Sequence, residues 1–142
     1  MKNINKFVSL FIVLLALSLG SCKHSNPEEI KLRQYLIQGE QLYRLHCANC
    51  HQNDGSGLGL LIPPIDSAFI QSNLELSICA IKHGLTGPIS INHKTYDGEM
   101  PANPRLTSLE IAEIITFIDV NWGKKKGITT ISTVEKSLNL CK

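Results

Sequence analysis

The sequence predicts an all-α fold with three main helices. Three segments, at 32–46, 74–85 and 111–118, repeat apolar residues at spacings of three and four, the period of an amphipathic helix. The second and third segments follow a Ser/Thr-x-x-Glu pattern, which often marks a helical N-terminus. Only a short stretch between the second and third segments alternates apolar and polar residues, which is the pattern of a β-strand. The chain has 142 residues, which is enough for one ordinary domain.

Residues 1–21 are predicted to be a signal peptide. Lys2 and Lys6 precede an uncharged apolar run at 7–19. This run suits a signal-peptide core and is short for a membrane-spanning helix, which needs about 20 residues. It ends in Leu-Gly-Ser-Cys, which resembles the bacterial lipobox, so Cys22 is expected to carry a lipid. The alternative is an ordinary signal peptide with a cysteine near its end.

The mature chain is expected to be a lipoprotein that faces the periplasm, anchored in either the inner or the outer membrane. Residues 22–28 are predicted to be its short tether, and 29–142 its domain, with a C-terminal extension from about residue 124. Loss of Lys2 and Lys6 with the leader leaves 12 Lys and Arg against 12 Asp and Glu. Because this balance is neutral, nothing indicates nucleic acid as a partner.

The first helix is predicted to begin at Glu28 and to run directly into Cys47. Glu28 and Glu29 suit the positive end of its dipole. One face of this helix carries Leu32, Tyr35, Leu36, Gly39, Leu42, Tyr43 and His46.

The middle of the chain is predicted to be a loop followed by the second helix. Residues 52–66 are read as loop because they contain several glycines and the pair Pro63-Pro64. A capping box over 72–75 starts the second helix, and Gly84 is placed to end it. Its apolar face carries Leu74, Ile78, Ile81 and Leu85.

Residues 86–101 are predicted to be a turn or small hairpin, with a turn at Asn92-His93. A capping box over 107–110 starts the last main helix, which should end near Trp122. Its apolar stripe is Ile111, Ile114, Ile115 and Ile118.

Two cysteines are predicted to pair near the C-terminal extension. Of the five cysteines, Cys22 is assigned to lipid and two lie in one motif, which leaves Cys79 and Cys141. An even pair in an exported protein favours a disulfide. Two unrelated buried thiols are the alternative. A short final helix is predicted after Ser132, with Glu135 completing its cap.

The motif Cys47-Ala48-Asn49-Cys50-His51 is a haem c attachment signature. Two thiols at this spacing can add to the two vinyl groups of one haem, and the adjacent imidazole can then reach the iron. A zinc site would need four ligands and usually a second close pair. A thiol–disulfide redox site would normally accompany a βαβ pattern, and the sequence contains none.

Met100 is predicted to be the second axial ligand of the iron. It is the only methionine that remains after removal of the leader, and it lies in Met100-Pro101 after a glycine-containing turn. A thioether opposite a histidine raises the reduction potential. The other candidates are His46, His83 and His93, of which His93 is the first to test.

Together, these residues resemble the class I cytochrome c domain, the small mono-haem type, over roughly 32–123. The resemblance rests on the Cys-x-x-Cys-His motif, Met100-Pro101 and the order of the helices. It implies a fold of three main helices around one covalent haem c. It also implies that the first and last helices cross, with Gly39 and Tyr43 on one and Phe117 on the other.

The resemblance further implies that a proline carbonyl accepts a hydrogen bond from the proximal histidine. Pro64 is the predicted residue, and Pro63 is its close competitor. Tyr96 and Trp122 either line the haem or belong to the core. The residues beyond Trp122 depart from the family pattern. We interpret them as a C-terminal arm that the predicted disulfide bonds covalently to the middle helix.

The function implied is electron transfer between redox proteins outside the cytoplasm, with no catalysis and no small-molecule substrate. The docking face is expected near Cys50, with Ala48, Leu58 and Leu61 at its rim. Lys124–Lys126 either steer an acidic partner or form a solvated helix end. Two alternatives remain: a permanent redox subunit of a dehydrogenase, reductase or oxidase, and an open-site haem sensor or peroxidase.

Overall fold

A computed structural model describes residues 26–123 and 127–141 of the chain. The predicted leader, Cys22, most of the tether and Lys124–Lys126 lie outside the described residues. Lys31–Lys142 form one compact unit, and the described residues of the other unit, Met1–Ile30, contain the first turn of a helix. Among the described helices, none is both long and apolar enough to cross a membrane.

Helices dominate the described chain, which confirms the all-α prediction. The two strands form one small antiparallel hairpin. In chain order the elements are α1 (Pro27–His46), α2 (Ala48–His51), α3 (Ser67–Ser72), α4 (Leu74–His83), β1 (Ile89–Ile91), β2 (Lys94–Tyr96), α5 (Ser108–Asn121) and α6 (Ile131–Leu138).

Helix α1 begins at Pro27, one residue before the predicted start. Proline is favoured at the first helical position because its fixed φ is already helical and its missing N–H needs no partner there. The Asn26 side chain accepts a hydrogen bond from the Glu28 amide (3.1 Å). The buried residues of the helix are Tyr35, Gly39 and Tyr43, members of the predicted face, whereas His46 is exposed.

The crossing of α1 and α5 depends on Gly39. A Cβ atom at this position would overlap the Glu113 carbonyl oxygen and lie 2.7 Å from Cβ of Phe117. Only glycine therefore allows the two backbones to approach this closely. Helix α5 begins at the predicted capping box, in which Thr107 and Glu110 each accept a hydrogen bond from the other's amide.

The predicted cap of the second helix is wrong. Asp66 caps an additional short helix, α3, by accepting a hydrogen bond from the Phe69 amide (2.6 Å). Because α3 continues through Ser72, that residue is helical and cannot serve as the N-cap of α4. Asn73 takes this position without a side-chain cap, and Gly84 ends α4 as predicted.

The predicted cap of the last helix is also displaced. Thr130, rather than Ser132, is the N-cap of α6, and its hydroxyl accepts a hydrogen bond from the Thr133 amide (3.1 Å). Ser132 lies inside the first turn. Helix α6 packs against α4 and α5, and the structure bonds Cys79 on α4 to Cys141 just beyond α6, with Cα atoms 5.6 Å apart.

The hairpin lies where the alternation predicted it. Ile89 pairs with Tyr96, and Ile91 pairs with Lys94. The turn residues Asn92 and His93 have φ of 51° and 61°. Two consecutive residues in the left-handed region match the twist of a tight hairpin, and asparagine tolerates this region better than most residues.

Candidate haem-binding site

One short turn presents the motif residues to a single apolar cavity. The amide of Cys47 still bonds to the Tyr43 carbonyl of α1 (2.8 Å). Helix α2 then begins, and the amides of Cys50 and His51 both bond to the Cys47 carbonyl (3.1 and 2.9 Å). Cys47, Cys50 and His51 therefore line one wall of the cavity, and both cysteines are free thiols.

The His51 ring is oriented by the carbonyl of Pro63, not by that of Pro64. Nδ1 of His51 donates a hydrogen bond to the Pro63 oxygen (3.1 Å). This bond places the proton on Nδ1 and leaves Nε2 available to a metal. Burial lowers the pKa of His51, although the bond to Pro63 acts in the opposite direction. A neutral imidazole, the form that binds metals, is thereby favoured.

The loop from Gln52 to Asp66 explains why Pro63 is the partner. The Gly57 amide bonds to the His51 carbonyl (3.0 Å), and the Ile65 amide bonds to the Gly55 carbonyl (2.8 Å). These contacts fold the loop back on α2 and bring Pro63 opposite the ring. Pro64 lines the same cavity without this bond. Which of the two adjacent prolines bonds to His51 is decided by the path of the loop. Their distance from His51 along the sequence could not distinguish them.

Met100 lies on a different segment of the cavity wall, next to the end of α4. Its amide and carbonyl exchange two hydrogen bonds with those of Leu85, each 2.9 Å long. Gly84, which ends α4 with φ of 82°, has a second role here. A Cβ atom at Gly84 would lie 2.7 Å from the Met100 carbonyl oxygen, so glycine also permits the close approach of the methionine segment.

The remaining lining of the cavity is predominantly apolar. It includes residues from α4, α5 and the hairpin, among them Ala80, Ile81, Ile89, Ile91, Tyr96, Ile114, Ile115 and Ile118. Tyr96 is buried against this space. Trp122 does not belong to the lining; it packs edge-on against Tyr43 and Phe117, with ring centroids 5.0 and 5.4 Å away. Of the two predicted aromatics, Tyr96 lines the cavity and Trp122 belongs to the core.

The alternative iron ligands lie away from the cavity. His46, His83 and His93 are exposed, and none of them lines it. Of the histidines within 26–123 and 127–141, His51 alone does so.

Zinc and thiol–disulfide chemistry fit the motif poorly. The described part of the chain contains no group of three or more His, Cys, Asp or Glu residues that could hold a metal ion. Burial, with a smaller contribution from Cys50, raises the pKa of Cys47 to about 12. Thiol–disulfide enzymes instead lower the pKa of the attacking cysteine.

The cavity residues fit a covalently held haem. Two thiols at haem-attachment spacing, a neutral imidazole and a thioether all line one apolar space. Thiols can form thioether links with a porphyrin, and imidazole nitrogen and methionine sulfur are ligands of haem iron.

Comparison with known proteins defines the class. The Cytochrome c family model matches residues 36–122, and the chain belongs to the cytochrome c family. Membership of this family implies a covalently bound haem c.

Two groups of relatives are similar to this chain. Cytochrome c-552 from Thermus thermophilus is 30% identical over 95 residues, which cover 63% of this chain and 72% of the relative. The cytochrome c subunit of the quinone alcohol dehydrogenase from Gluconacetobacter polyoxogenes is 32% identical over 104 residues. That match covers 70% of this chain but 22% of the subunit, so the chain spans about a fifth of that relative.

Asp66 is a residue near the cavity that sequence reasoning missed. Its carboxylate accepts hydrogen bonds from the Phe69 amide and from the Asn92 side chain (2.8 Å), so it joins α3 to the hairpin. The local signal was an Asp before a short apolar segment, without the Glu three residues later that completes a capping box.

Replacement of Asp66 by alanine should make stability less dependent on pH. The bonds from Phe69 and Asn92 hold the pKa of Asp66 below its ordinary value. The carboxylate therefore stabilises the fold above about pH 3.9, and this contribution is lost as the pH falls through the lower folded-state pKa. At neutral pH we expect Asp66→Ala to cost about 1 kcal/mol in urea unfolding, and the difference from the parent should shrink in acid.

Asp66→Asn is the matched control. Asparagine is also a good N-cap but does not titrate in this range, so this variant should retain most of the stability at neutral pH. An Asp66→Ala deficit that stays constant into strong acid would show that the carboxylate charge is not involved.

Proposed function

We propose that this chain is an extracytoplasmic electron carrier with one haem c, held by Cys47 and Cys50 and ligated by His51 and Met100. The convergence of these four side chains on one cavity carries the proposal. The sequence contains one Cys-x-x-Cys-His motif, which supports a single haem.

The residues of the cavity have separate roles in this proposal. When bound, the haem supplies a one-electron couple. His51 is fixed through Nδ1 by Pro63 and offers Nε2 to the iron. Met100 would supply a thioether sulfur to the iron and would thereby exclude external ligands. The apolar lining keeps water out, and the close packing limits the rearrangement that accompanies each electron transfer.

Partners are expected to dock beside the loop that precedes Pro63. Leu58, Leu60 and Leu61 are 51%, 71% and 70% exposed at its tip, and Leu61 also lines the cavity. Exposed leucines next to a cofactor suit an apolar rim on another redox protein. The similarity to the cytochrome c subunit of an alcohol dehydrogenase favours a second candidate, in which the same surface is held permanently within an oxidoreductase complex.

The proposed location rests on the predicted leader. The apolar run at 7–19 and the lipobox-like sequence at Cys22 support export and lipid attachment. The Cys79–Cys141 bond is consistent with an oxidising compartment. If Cys22 carries the lipid, Cys22→Ala should abolish incorporation of a labelled fatty acid, whereas Cys141→Ser should retain it.

The decisive experiment for the carrier is spectroscopy of protein made in cells that have haem-attachment machinery. Haem should remain with the chain after denaturation and solvent extraction. The ferric protein should show a weak far-red sulfur-to-iron band, and the ferrous protein should not bind carbon monoxide. A chain that is colourless after extraction would remove the whole assignment. Colour with rapid carbon monoxide binding would instead favour an open-site sensor or peroxidase.

A further inference from the structure

The segment that carries Met100 has no regular secondary structure of its own. We define the methionine segment as residues 97–107, between β2 and α5, all outside helices and strands. The position of the thioether therefore depends on how this segment is attached to its neighbours. Between Met100 and Leu106, its hydrogen bonds to other segments go to the last turn of α4 and to Leu85.

Two attachments are between backbone groups. Met100 exchanges its pair of hydrogen bonds with Leu85, and the Asn103 amide donates to the Ile81 carbonyl (3.1 Å). Ile81 lies on the cavity wall. These bonds hold the near end of the segment directly beside the cavity.

The far end is held by the buried side chain of Leu106 and by hydrogen bonds from Lys82. Nζ of Lys82 donates to the carbonyl oxygens of Pro104 (2.8 Å) and Leu106 (2.7 Å). Hydrogen bonds from an ammonium group are roughly twice as strong as those between neutral groups. Lys82 is half-buried, so water screens this contact less than it would on an open surface.

The same ammonium lies close to the start of α5. Hydrogen bonds from Thr107 hold the pKa of Glu110 below its usual value, and the charge of Lys82 acts in the same direction. Lys82 thus joins α4 to the end of the methionine segment, immediately before the capping box of α5.

We propose that Lys82 is a positioning residue that keeps Met100 on the haem iron, an inference that rests on the proposed axial role of Met100. Without the ammonium, the segment between Asn103 and α5 loses its two hydrogen bonds to α4 and is held there only by the packing of Leu106, so it opens more often. An external ligand reaches the iron only from the open state, so its apparent affinity reports the population of that state.

The test uses the complete holoprotein in the ferric form, titrated with imidazole while the far-red band is followed. Lys82→Met retains the length of the side chain but removes the charge and the donors. Lys82→Arg restores a cation with donors, and Lys136→Met removes a charge from an exposed lysine on α6. We expect Lys82→Met to bind imidazole about tenfold more tightly than the parent, which corresponds to about 1.4 kcal/mol. Lys82→Arg and Lys136→Met should remain near the parent.

Amide hydrogen exchange gives a second readout that does not depend on iron ligation. In Lys82→Met, the Asn103 amide should exchange about tenfold faster, while Ile114 in the middle of α5 should keep its parent rate. Equal acceleration at both amides would indicate a general loss of stability and would overturn the proposal.

The remaining outcomes separate this inference from the proposed function. If Lys82→Met binds imidazole as the parent does, Lys82 does not position Met100, and the carrier assignment stands. If the parent itself lacks the far-red band, both the ligand assignment and the role of Lys82 fail. Should Lys82→Met not accumulate, Lys82→Gln is read by the same criteria, since it removes the charge with a smaller change in polarity.

Discussion

Met100→Ala should convert the closed carrier into a protein that binds external ligands. Loss of the thioether should abolish the far-red band and allow carbon monoxide to bind the ferrous form. The reduction potential should fall by on the order of 100 mV or more, because methionine opposite histidine favours the ferrous state. A redox-titrated absorption spectrum measures all three changes in one sample. Haem should stay attached, since Cys47 and Cys50 are unchanged.

Two further variants identify the cause. Met100→His offers a nitrogen ligand at the same position, so it should exclude carbon monoxide while the far-red band and the high potential are lost. Leu109→Ala trims a partly exposed side chain on α5 that does not line the cavity and should leave the spectrum unchanged. A Met100→Ala spectrum identical to that of the parent would mean that another residue closes the iron, and His93→Ala would be the next variant to examine.

Cys141→Ser should lower the stability of the domain without altering its spectrum. The bond between Cys79 and Cys141 closes a loop with a sequence separation of 62. Its removal should cost about 4 kcal/mol through the greater freedom of the unfolded chain. The melting temperature should then fall by about 10–20 °C. Neither cysteine lines the cavity, so haem ligation should be retained in the folded protein.

The reductant dependence provides the control. A mild thiol reductant should bring the parent close to the melting temperature of the variant, and it should not affect the variant. The double replacement of Cys79 and Cys141 by serine should behave as Cys141→Ser does, which excludes an effect of the remaining thiol. Equal melting temperatures of the parent and the variant would mean that the C-terminal arm is held only by the packing of α6 against α4 and α5.

The parts of the fold that were predicted are those with local causes. The start of α5 follows from a capping box within four residues, and its burial follows from the spacing of its isoleucines. The Cys-x-x-Cys-His motif forms within one helical turn, so adjacency in sequence is sufficient to bring its side chains together. The close approach at Gly39 was inferred from the family resemblance, and the backbone contact with α5 accounts for it.

The parts that were missed depend on contacts between distant segments. Pro63 rather than Pro64 faces His51 because of the path of the intervening loop. Asp66 caps α3, for which the sequence gives only an incomplete capping pattern, and its second bond, to the hairpin, has no local signal at all. No motif surrounds Lys82 near the end of its helix, and its two carbonyl partners are defined only once α4 and the methionine segment pack together.

Leu85 and Met100 pair directly through their backbones, so residues 86–99 form a loop whose two ends are held together. Its outermost turn, Asn92-His93, is exposed, so extra residues inserted there would extend away from the joined base. Each doubling of such a loop costs only about 0.6 kcal/mol. A peptide tag or an electrode-binding sequence inserted at this turn should therefore not move the sulfur atom of Met100. The turn is thus a suitable site for attaching the protein to an electrode surface.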